Sequence, residues 1–441
     1  MADGTTVAAF DAVSCVSADG LIFSLSSEEW AAVWRGSLSG SSESINTLRV
    51  FDDLDLLHID VQMEDPGIWK GMDLASGRWI RLELNSYQDA DGLTAMAYTS
   101  LFSEPESIRL RLVDDVSVAT EFHLNSALSM NGWPTVHLQS IVGHVQNAEL
   151  DLWHAFDVGQ GSANGLLGDG PITLFHDLGC GAYRNAKTAP ANTVVCHSQR
   201  APIILSHWDT DHWAGARRFA PVGDPDVFLD RTWIAPSDPT VGPSHILFAA
   251  SILISGGMLH ILAAGPWVTP WISVSNNKSL RLIRGNGPDR NGTGVALEVR
   301  NNSVGCWLLP GDVCYDFLQP HLSSTYIAIA VPHHGATGGA ATAIPAPASP
   351  YSRLIYSFGH NNSWGHPTLS CITSHIAHGW QHGIWIGTTQ ATAPLVVSAR
   401  ATGCNAPGQD HLGGVLVGWS MPLIPPGPAC GGLCSAAAVQ N

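Results

Sequence analysis

A chain of 441 residues, 45% hydrophobic and only 13% charged, can bury a large core and is long enough for two or three domains. Its net charge of −17 argues against nucleic acid as a partner of the whole surface, but the acidity is local. Residues 1–150 hold 7 Lys+Arg against 22 Asp+Glu (−15), and residues 151–441 hold 13 against 15 (−2). No apolar run reaches the ~20 residues of a membrane helix, and the nearest, 246–259, is interrupted by Ser251, Ser255, Gly256 and Gly257. The opening MADGTTVAAFDAV has no basic stretch and carries Asp3 and Asp11, so it does not read as a secretory signal. The nine cysteines lack metal-type C-x-x-C pairs and are expected to be reduced thiols in a cytoplasmic protein.

Residues 1–147 are expected to form one acidic domain, α+β or mostly-β. Ser26-Ser27-Glu28-Glu29 looks like a capping box that opens a helix over 26–34. Alternating or β-rich runs follow at 48–51, Leu57–Val61, 79–84 and 108–113. The acidic surface is a solvated face, a regulatory cover or a docking site for a basic partner. A second domain is expected over 148–420. Strands are expected at 150–158, 165–167, 172–175 and 203–205, then at 232–235. A helix is expected over 244–263, and strands again at 280–283, 294–299, Gly305–Leu309, 326–331 and 354–358. Strands alternating with helical segments point to a layered α/β architecture. Residues 421–441, rich in Pro, Gly and Ala, read as a loose tail.

The chemistry concentrates in LSHWDTDHWAG, 205–215. His207, Asp209, Asp211 and His212 follow the apolar run Ile203-Ile204-Leu205, and Trp208 and Trp213 sit among them. Carboxylates and imidazoles this close repel or lose hydration unless a cation or protons compensate them. Imidazole with carboxylate suits Zn, Mn or Fe. The bland alternative is a solvated turn.

At these residues the chain resembles the metallo-β-lactamase fold superfamily, whose H-x-H-x-D-H signature stands here as His207-Trp208-Asp209-Thr210-Asp211-His212 with aspartate for the second histidine. Three further motifs follow the family order. Asp177-Leu178-Gly179 matches its D-x-G, Leu308-Leu309-Pro310-Gly311-Asp312 its L-x-T-G-D, and Gly365-His366-Pro367 its late histidine. Within the superfamily, Asp157-Val158-Gly159-Gln160-Gly161-Ser162, Val331-Pro332-His333-His334-Gly335 and the N-x-x-W-G-H-P run ending at His366 resemble the hydrolase domain of the DNA-uptake channel proteins of bacterial natural competence.

The resemblance implies an αββα sandwich over 148–420 holding two divalent metal ions, Zn or Mn. One would take His207 and Asp209, the other Asp211, His212 and His366, with Asp312 between them. Asn291 falls where the family places a further histidine. Asp209 and Asn291 are oxygen donors, and oxygen-rich sets favour harder cations such as Mn²⁺. Two metals ~3.5–4 Å apart can share a hydroxide and steady a leaving group. Asp211, His333 and His334 are candidates for catalysis, the two histidines as alternatives for proton donation or phosphate contact. Asp157, Gln160, Asn291 and Trp208 are candidates for lining the substrate site, and Pro367 is expected to be the first residue of a helix that continues over 368–378. His154, His176, His197, His360, His375, His378 and His382 are read as structural.

Three functions remain open on these residues. The first is a phosphodiesterase or nuclease acting on DNA or RNA. The second is a hydrolase of a cyclic nucleotide, lactone or other small ester on the same centre. The third is a non-catalytic binding module on a degenerate fold.

Overall fold

The structure, a computed structural model, describes residues 92–115, 117–119 and 121–122 and, with short interruptions, 130–381, 399–404 and 410–420. It also describes the strands at 5–10, 14–17, 57–61, 78–86 and 439–440. The chain divides into two units, Met1–Pro134 with Ser237–Gly256 and Thr135–Pro236 with Gly257–Asn441. The second unit thus starts at Thr135, ahead of the expected 148, and a segment from the middle of the chain belongs with the first.

The first unit is a closed antiparallel barrel. Its strands are β1 (Thr5–Phe10), β2 (Ser14–Ser17), β3 (Leu57–Val61), β4 (Arg78–Ser86), β5 (Leu93–Tyr98) and β6 (Glu106–Asp115), in the order β1-β2-β3-β5-β6-β4. Closure leaves no strand edge open to pairing with other chains. Ile59, Ala95, Ala97 and Leu110 are buried, and the two alanines suit a narrow interior. The expected strands at 57–61, 79–84 and 108–113 fall within β3, β4 and β6. The run at 48–51 and the helix at 26–34 lie outside the described residues.

The second unit opens with β7 (Thr135–Val136), β8 (Leu152–Ala155), β9 (Ala163–Leu167), β10 (Ile172–Leu178), β11 (Ile203–Ile204), β12 (Thr232–Pro236) and β13 (Met258–Leu262). There follow β14 (Ile272–Ser275), β15 (Lys278–Arg284), β16 (Val295–Asn301), β17 (Gly305–Leu309), β18 (Thr325–Tyr326), β19 (Ala328–Ala330), β20 (Ala346–Pro347), β21 (Arg353–Tyr356), β22 (Ala399–Ala401), β23 (Gly414–Gly418) and β24 (Val439–Gln440). Among the described residues these build one sheet in the order β24-β23-β8-β9-β10-β11-β12-β13-β7 and a second in the order β14-β15-β16-β17-β19-β21-β22, while β18 and β20 pair on their own.

The two sheets pack face to face. Trp153, Leu166, Leu174, Ile204, Ile234 and Leu262 of the first share one apolar cluster with Leu280, Leu282, Leu297, Trp307, Leu309 and Ala328 of the second. Alternate residues of the second sheet, among them Ile283, Leu308, Ile329 and Leu354, pack under Cys371 and Ile372 of the helix Leu369–Ala377 and Tyr315 and Leu318 of a shorter one. On the outer face of the first sheet Phe175 meets Phe228 edge-on at 6.3 Å, and the short helix Gly215–Arg218 follows β11. The architecture is therefore an αββα sandwich. Sheets covered on both faces need apolar residues at successive strand positions, which is why Ile203-Ile204-Leu205 and Trp307-Leu308-Leu309 are continuous runs. Each fully buried side chain of that size is worth ~1.5–3 kcal/mol.

Several local expectations shift. The helix expected over 244–263 spans Pro243–Ile254 only. Gly256 adopts φ +82°, open to glycine without strain, and Met258–Leu262 continues as a strand parallel to β12. Pro367 lies ahead of its helix, which is capped by Thr368 through a Cys371 N–H to Thr368 Oγ1 bond of 3.2 Å. Of the expected loose tail, 421–438 and 441 lie outside the described residues, while β24 adds to the edge of the first sheet. Cys180, Cys306, Cys314, Cys371 and Cys404 are not disulfide-bonded. Cys196 is disulfide-bonded, so the expectation of reduced thiols fails there, and a reducing compartment disfavours such a bond.

Candidate metal centre

Parallel strands β10-β11 of one sheet and β17-β19-β21 of the other run out at the same edge. Loops after parallel strands are where an α/β sandwich can gather side chains from distant sequence. Five such segments meet here: 177–179, 206–212, 310–312, 331–335 and 357–366. The glycine of the D-x-G segment answers a spatial demand. A Cβ on Gly179 would stand 1.7 Å from the Asp211 carbonyl oxygen. The Asp211 carbonyl in turn accepts the Ser162 N–H at 3.0 Å, and the Ser162 carbonyl accepts the Gly179 N–H at 2.7 Å.

Asp312 lies at the centre, 3% exposed, with its two oxygens facing opposite ways. Oδ2 is 3.6 Å from His207 Nε2 and 3.6 Å from His333 Nε2. Oδ1 is 3.1 Å from His212 Nε2 and 3.8 Å from His334 Nε2. Asp211 Oδ2 approaches His334 Nε2 at 3.3 Å. On the other side Asp209 Oδ2 is 3.3 Å from His207 Nε2, while its Oδ1 accepts from Arg290 Nε at 2.6 Å.

Asp177 supports this set from behind. Fully buried, it accepts the Ser206 N–H at 2.7 Å, the Ser206 hydroxyl at 2.9 Å and His212 Nδ1–H at 2.8 Å. An ionised carboxylate only accepts, so Nδ1 carries the proton and Nε2 points its lone pair at Asp312. A carboxylate behind a ligating histidine fixes its tautomer and raises its basicity. His334 is oriented likewise, with Nδ1–H donating to the Ser357 carbonyl at 2.8 Å. Its backbone and that of His333 are left-handed, at φ 53° and 49°, and Gly335 follows at φ 88°. Each non-glycine residue held there costs ~1–3 kcal/mol, a strain typical of sites that must aim side chains.

Among the described residues, the buried atoms His207 Nε2, His212 Nε2, His334 Nε2 and Asp312 Oδ1 have no hydrogen-bond partner. Two donor groups close on one another within 4.8 Å, His207–His212–Asp312 and Asp211–His212–His334. Orphaned imidazole nitrogens and carboxylate oxygens aimed at one point fit a divalent cation of the Zn or Mn type. The electrostatics agree. Burial disfavours charge on His212, but Asp312 and Asp177 outweigh it and raise its pKa well above the usual. Burial also opposes ionisation of Asp312, yet His212, His333, His207 and His334 hold its carboxyl well below the usual range. The carboxylates thus draw positive charge into a buried point.

The sequence-singled residues distribute as follows. His207, Asp211, His212 and Asp312 converge. His334 joins them and, among the described residues, takes the place in the donor group that the resemblance gave to His366. His366 stands beside it, ring centroids 6.4 Å apart, with Nδ1 3.4 Å from Gln160 Nε2. Burial first, then His334 and His333, push its pKa down to about 4, leaving a neutral imidazole. His333 is the solvent-facing member, 35% exposed.

Asn291 takes part in a turn, its carbonyl accepting from Gly294 N–H at 3.2 Å, and the neighbouring Arg290 reaches the site instead. Trp208 is fully buried and its indole donates to the Pro236 carbonyl at 2.7 Å, so it is a core wall and offers no face to a substrate. Asp157 is 3.2 Å from His411 Nδ1, and Gln160 bridges the Gly359 amide and His366. His375, read as structural, bonds Tyr315 Oη at 3.0 Å and the Cys371 carbonyl at 2.9 Å. Sequence reading named no role for Asp177 beyond its motif and missed Ser206, Arg290 and His411. Only Asp177 had a signal, its place in D-x-G.

No family model matches the chain, and no curated protein matches it. Among solved structures it is similar to zinc-bound PqqB from Methylobacterium extorquens, at 15% identity and TM-score 0.24, over 39% of this chain and 59% of that one. An isothiocyanate hydrolase from Delia radicum gut bacteria aligns at 13% identity and TM-score 0.30, over 57% and 96%. A metallo-β-lactamase with a HARLDQ motif from Cronobacter sakazakii aligns at 11% identity and TM-score 0.21, over 42% and 66%. The chain spans less than two thirds of the first and third of these proteins.

Proposed function

We propose that the chain is a metal-dependent hydrolase of phosphodiesters, with nucleic acid as the substrate class. The observation that carries the reading is the convergence of His207, His212, His334 and Asp312 with buried, unpartnered donor atoms, beside a solvent-facing imidazole. A divalent cation held there would supply Lewis acidity and lower the pKa of bound water.

The chain's own residues prepare and complete the reaction. Asp211, His212, His334 and Asp312 would hold the cation, and Asp177 keeps His212 in the ligating tautomer. His333, on the open side of Asp312, gives a proton to the leaving oxygen. Gln160 and the neutral His366 border the same space. A substrate base has a platform two residues from His366: Trp364, 58% exposed, with the Arg184 guanidinium 4.2 Å over its ring. The Asn185 carboxamide oxygen fixes that loop by accepting from Ser363 N–H at 2.9 Å. The resemblance of the DVGQGS, VPHHG and N-x-x-W-G-H-P segments to the competence hydrolase domain favours nucleic acid over small esters.

The test compares wild type with Asp211→Ala, each with elemental metal analysis. Substrates are single- and double-stranded DNA, RNA, a chromogenic phosphodiester and a lactone, with Mn²⁺ and with Zn²⁺. Metal-dependent cleavage of a phosphodiester, lost at least ~100-fold in the variant, is expected. Turnover of the lactone alone, or of nothing, removes the reading.

A further inference from the structure

The side of Asp312 that faces His207 differs from the side that faces His334. Both three-donor groups include His212, and with Nδ1 committed to Asp177 at 2.8 Å, Nε2 is the atom left for either. One imidazole nitrogen has one lone pair and serves one cation. If His212 joins Asp211 and His334, the far side keeps His207 Nε2 and Asp312 Oδ2. Asp209 is the residue that would complete it, and among the described residues Asp209 belongs to neither group. Its Oδ1 is held by Arg290 at 2.6 Å, which leaves only Oδ2, 3.3 Å from His207 Nε2, on this side. That pair is not a loose surface contact, since Arg290 is 11% exposed and Asp209 27%. Asn291, next in the chain, is committed through its backbone to the turn that ends at Gly294.

We propose that the centre takes one divalent cation, on the Asp211–His212–His334 side with Asp312 Oδ1, and that the Arg290 guanidinium stands in the second cation's place. The inference rests on the metal-dependent reading above. Arg290 keeps a second cation off in two ways. It occupies an oxygen of the missing donor, and its fixed charge repels a dication at the same carboxylate cluster. A guanidinium never deprotonates in a protein, so it supplies this charge at every pH and without metal. The expectation of two metal ions thereby becomes one ion and one arginine.

The test is stoichiometry, independent of turnover. Full-length protein is stripped with chelator and dialysed to equilibrium against Mn²⁺, and in parallel against Zn²⁺, and bound equivalents are counted. Wild type is expected to hold one equivalent, Asp209→Ala one, Arg290→Lys one, and Arg290→Ala two. If Arg290→Ala does not fold, Arg290→Met is used, and the wild-type count stands by itself. Two equivalents in wild type overturn the inference and leave the hydrolase reading intact. One equivalent in both wild type and Arg290→Ala overturns the part given to Arg290. Loss of the single equivalent in Asp209→Ala places the ion on the wrong side and overturns the assignment. No bound metal removes both readings, whereas one equivalent without hydrolysis of any phosphodiester removes only the activity.

Discussion

Asp177→Asn separates holding the fold from holding the metal. The carboxylate is fully buried and accepts three hydrogen bonds, two of them on Oδ2. Asparagine keeps the shape and tolerates the φ of +60° at this position. Its carbonyl retains the Ser206 N–H bond, but an NH₂ now faces the Ser206 hydroxyl and His212 Nδ1. The hydroxyl rotates to accept. The imidazole satisfies the amide only by moving its proton from Nδ1 to Nε2, the atom that ligates. Two altered bonds out of three, one of them to a charge, give a stability loss of ~1.5–3 kcal/mol, small enough for a sandwich of this size to remain folded. Metal affinity is expected to fall ~10–100-fold, the usual cost of losing a carboxylate behind a ligating histidine. Metal titration followed by urea unfolding of the stripped protein measures the two effects separately. Unchanged affinity in a folded Asp177→Asn protein refutes the argument that Asp177 sets the tautomer of His212.

Two further outcomes follow from local geometry. Gly179→Ala places a methyl 1.7 Å from the Asp211 carbonyl oxygen, a backbone atom held by its own hydrogen bond to Ser162, so a destabilisation of ~3 kcal/mol or more is expected in urea unfolding. A cost under ~1 kcal/mol contradicts the close approach. His154 is packed 4.1 Å from the Phe156 ring, and burial lowers its pKa to about 4. Its folded value lies below the unfolded ~6.5, so its stabilising effect is complete above pH 6.5 and is lost as the pH falls towards 4. With allowance for its partly exposed edge this is ~2 kcal/mol, and His154→Gln is expected to flatten unfolding free energy against pH over that interval.

What the sequence made legible follows from which forces are local. Continuous apolar runs such as Ile203-Ile204-Leu205 identify buried strands without reference to the rest of the chain, and β11, β17 and β19 lie within such runs. The segments after them carried the five converging donors, His207, Asp211, His212, Asp312 and His334, because a polar cluster at a strand end has few explanations. The failures are non-local or conformational. Residues 244–263 are largely apolar, and only the backbone freedom of Gly256 and packing beside β12 turn their second half into a strand. His333 and His334 are adjacent, and the left-handed backbone that sends one to the donor group and the other to solvent has no periodicity to betray it. The competition between Arg290 and Asn291 turns on a single residue of register in a turn. Trp208 seemed a neighbour of the site because it is flanked by His207 and Asp209, but alternation along an extended segment points it the opposite way, into the core.

The donors of the proposed ion come from both layers: Asp211 and His212 from the loop after β11, Asp312 and His334 from the loops after β17 and β19. A cation bound by all four is a bond between sheets whose facing surfaces otherwise adhere mainly through apolar contact, with few polar ties such as His176 Nε2 to the Val295 carbonyl at 3.2 Å. Sliding or parting the layers breaks coordination before it exposes the core. Occupancy then adds to the free energy of the whole sandwich, ~2.7 kcal/mol when free metal is a hundred times its dissociation constant. Metal supply would set how long the folded protein lasts as well as how fast it works.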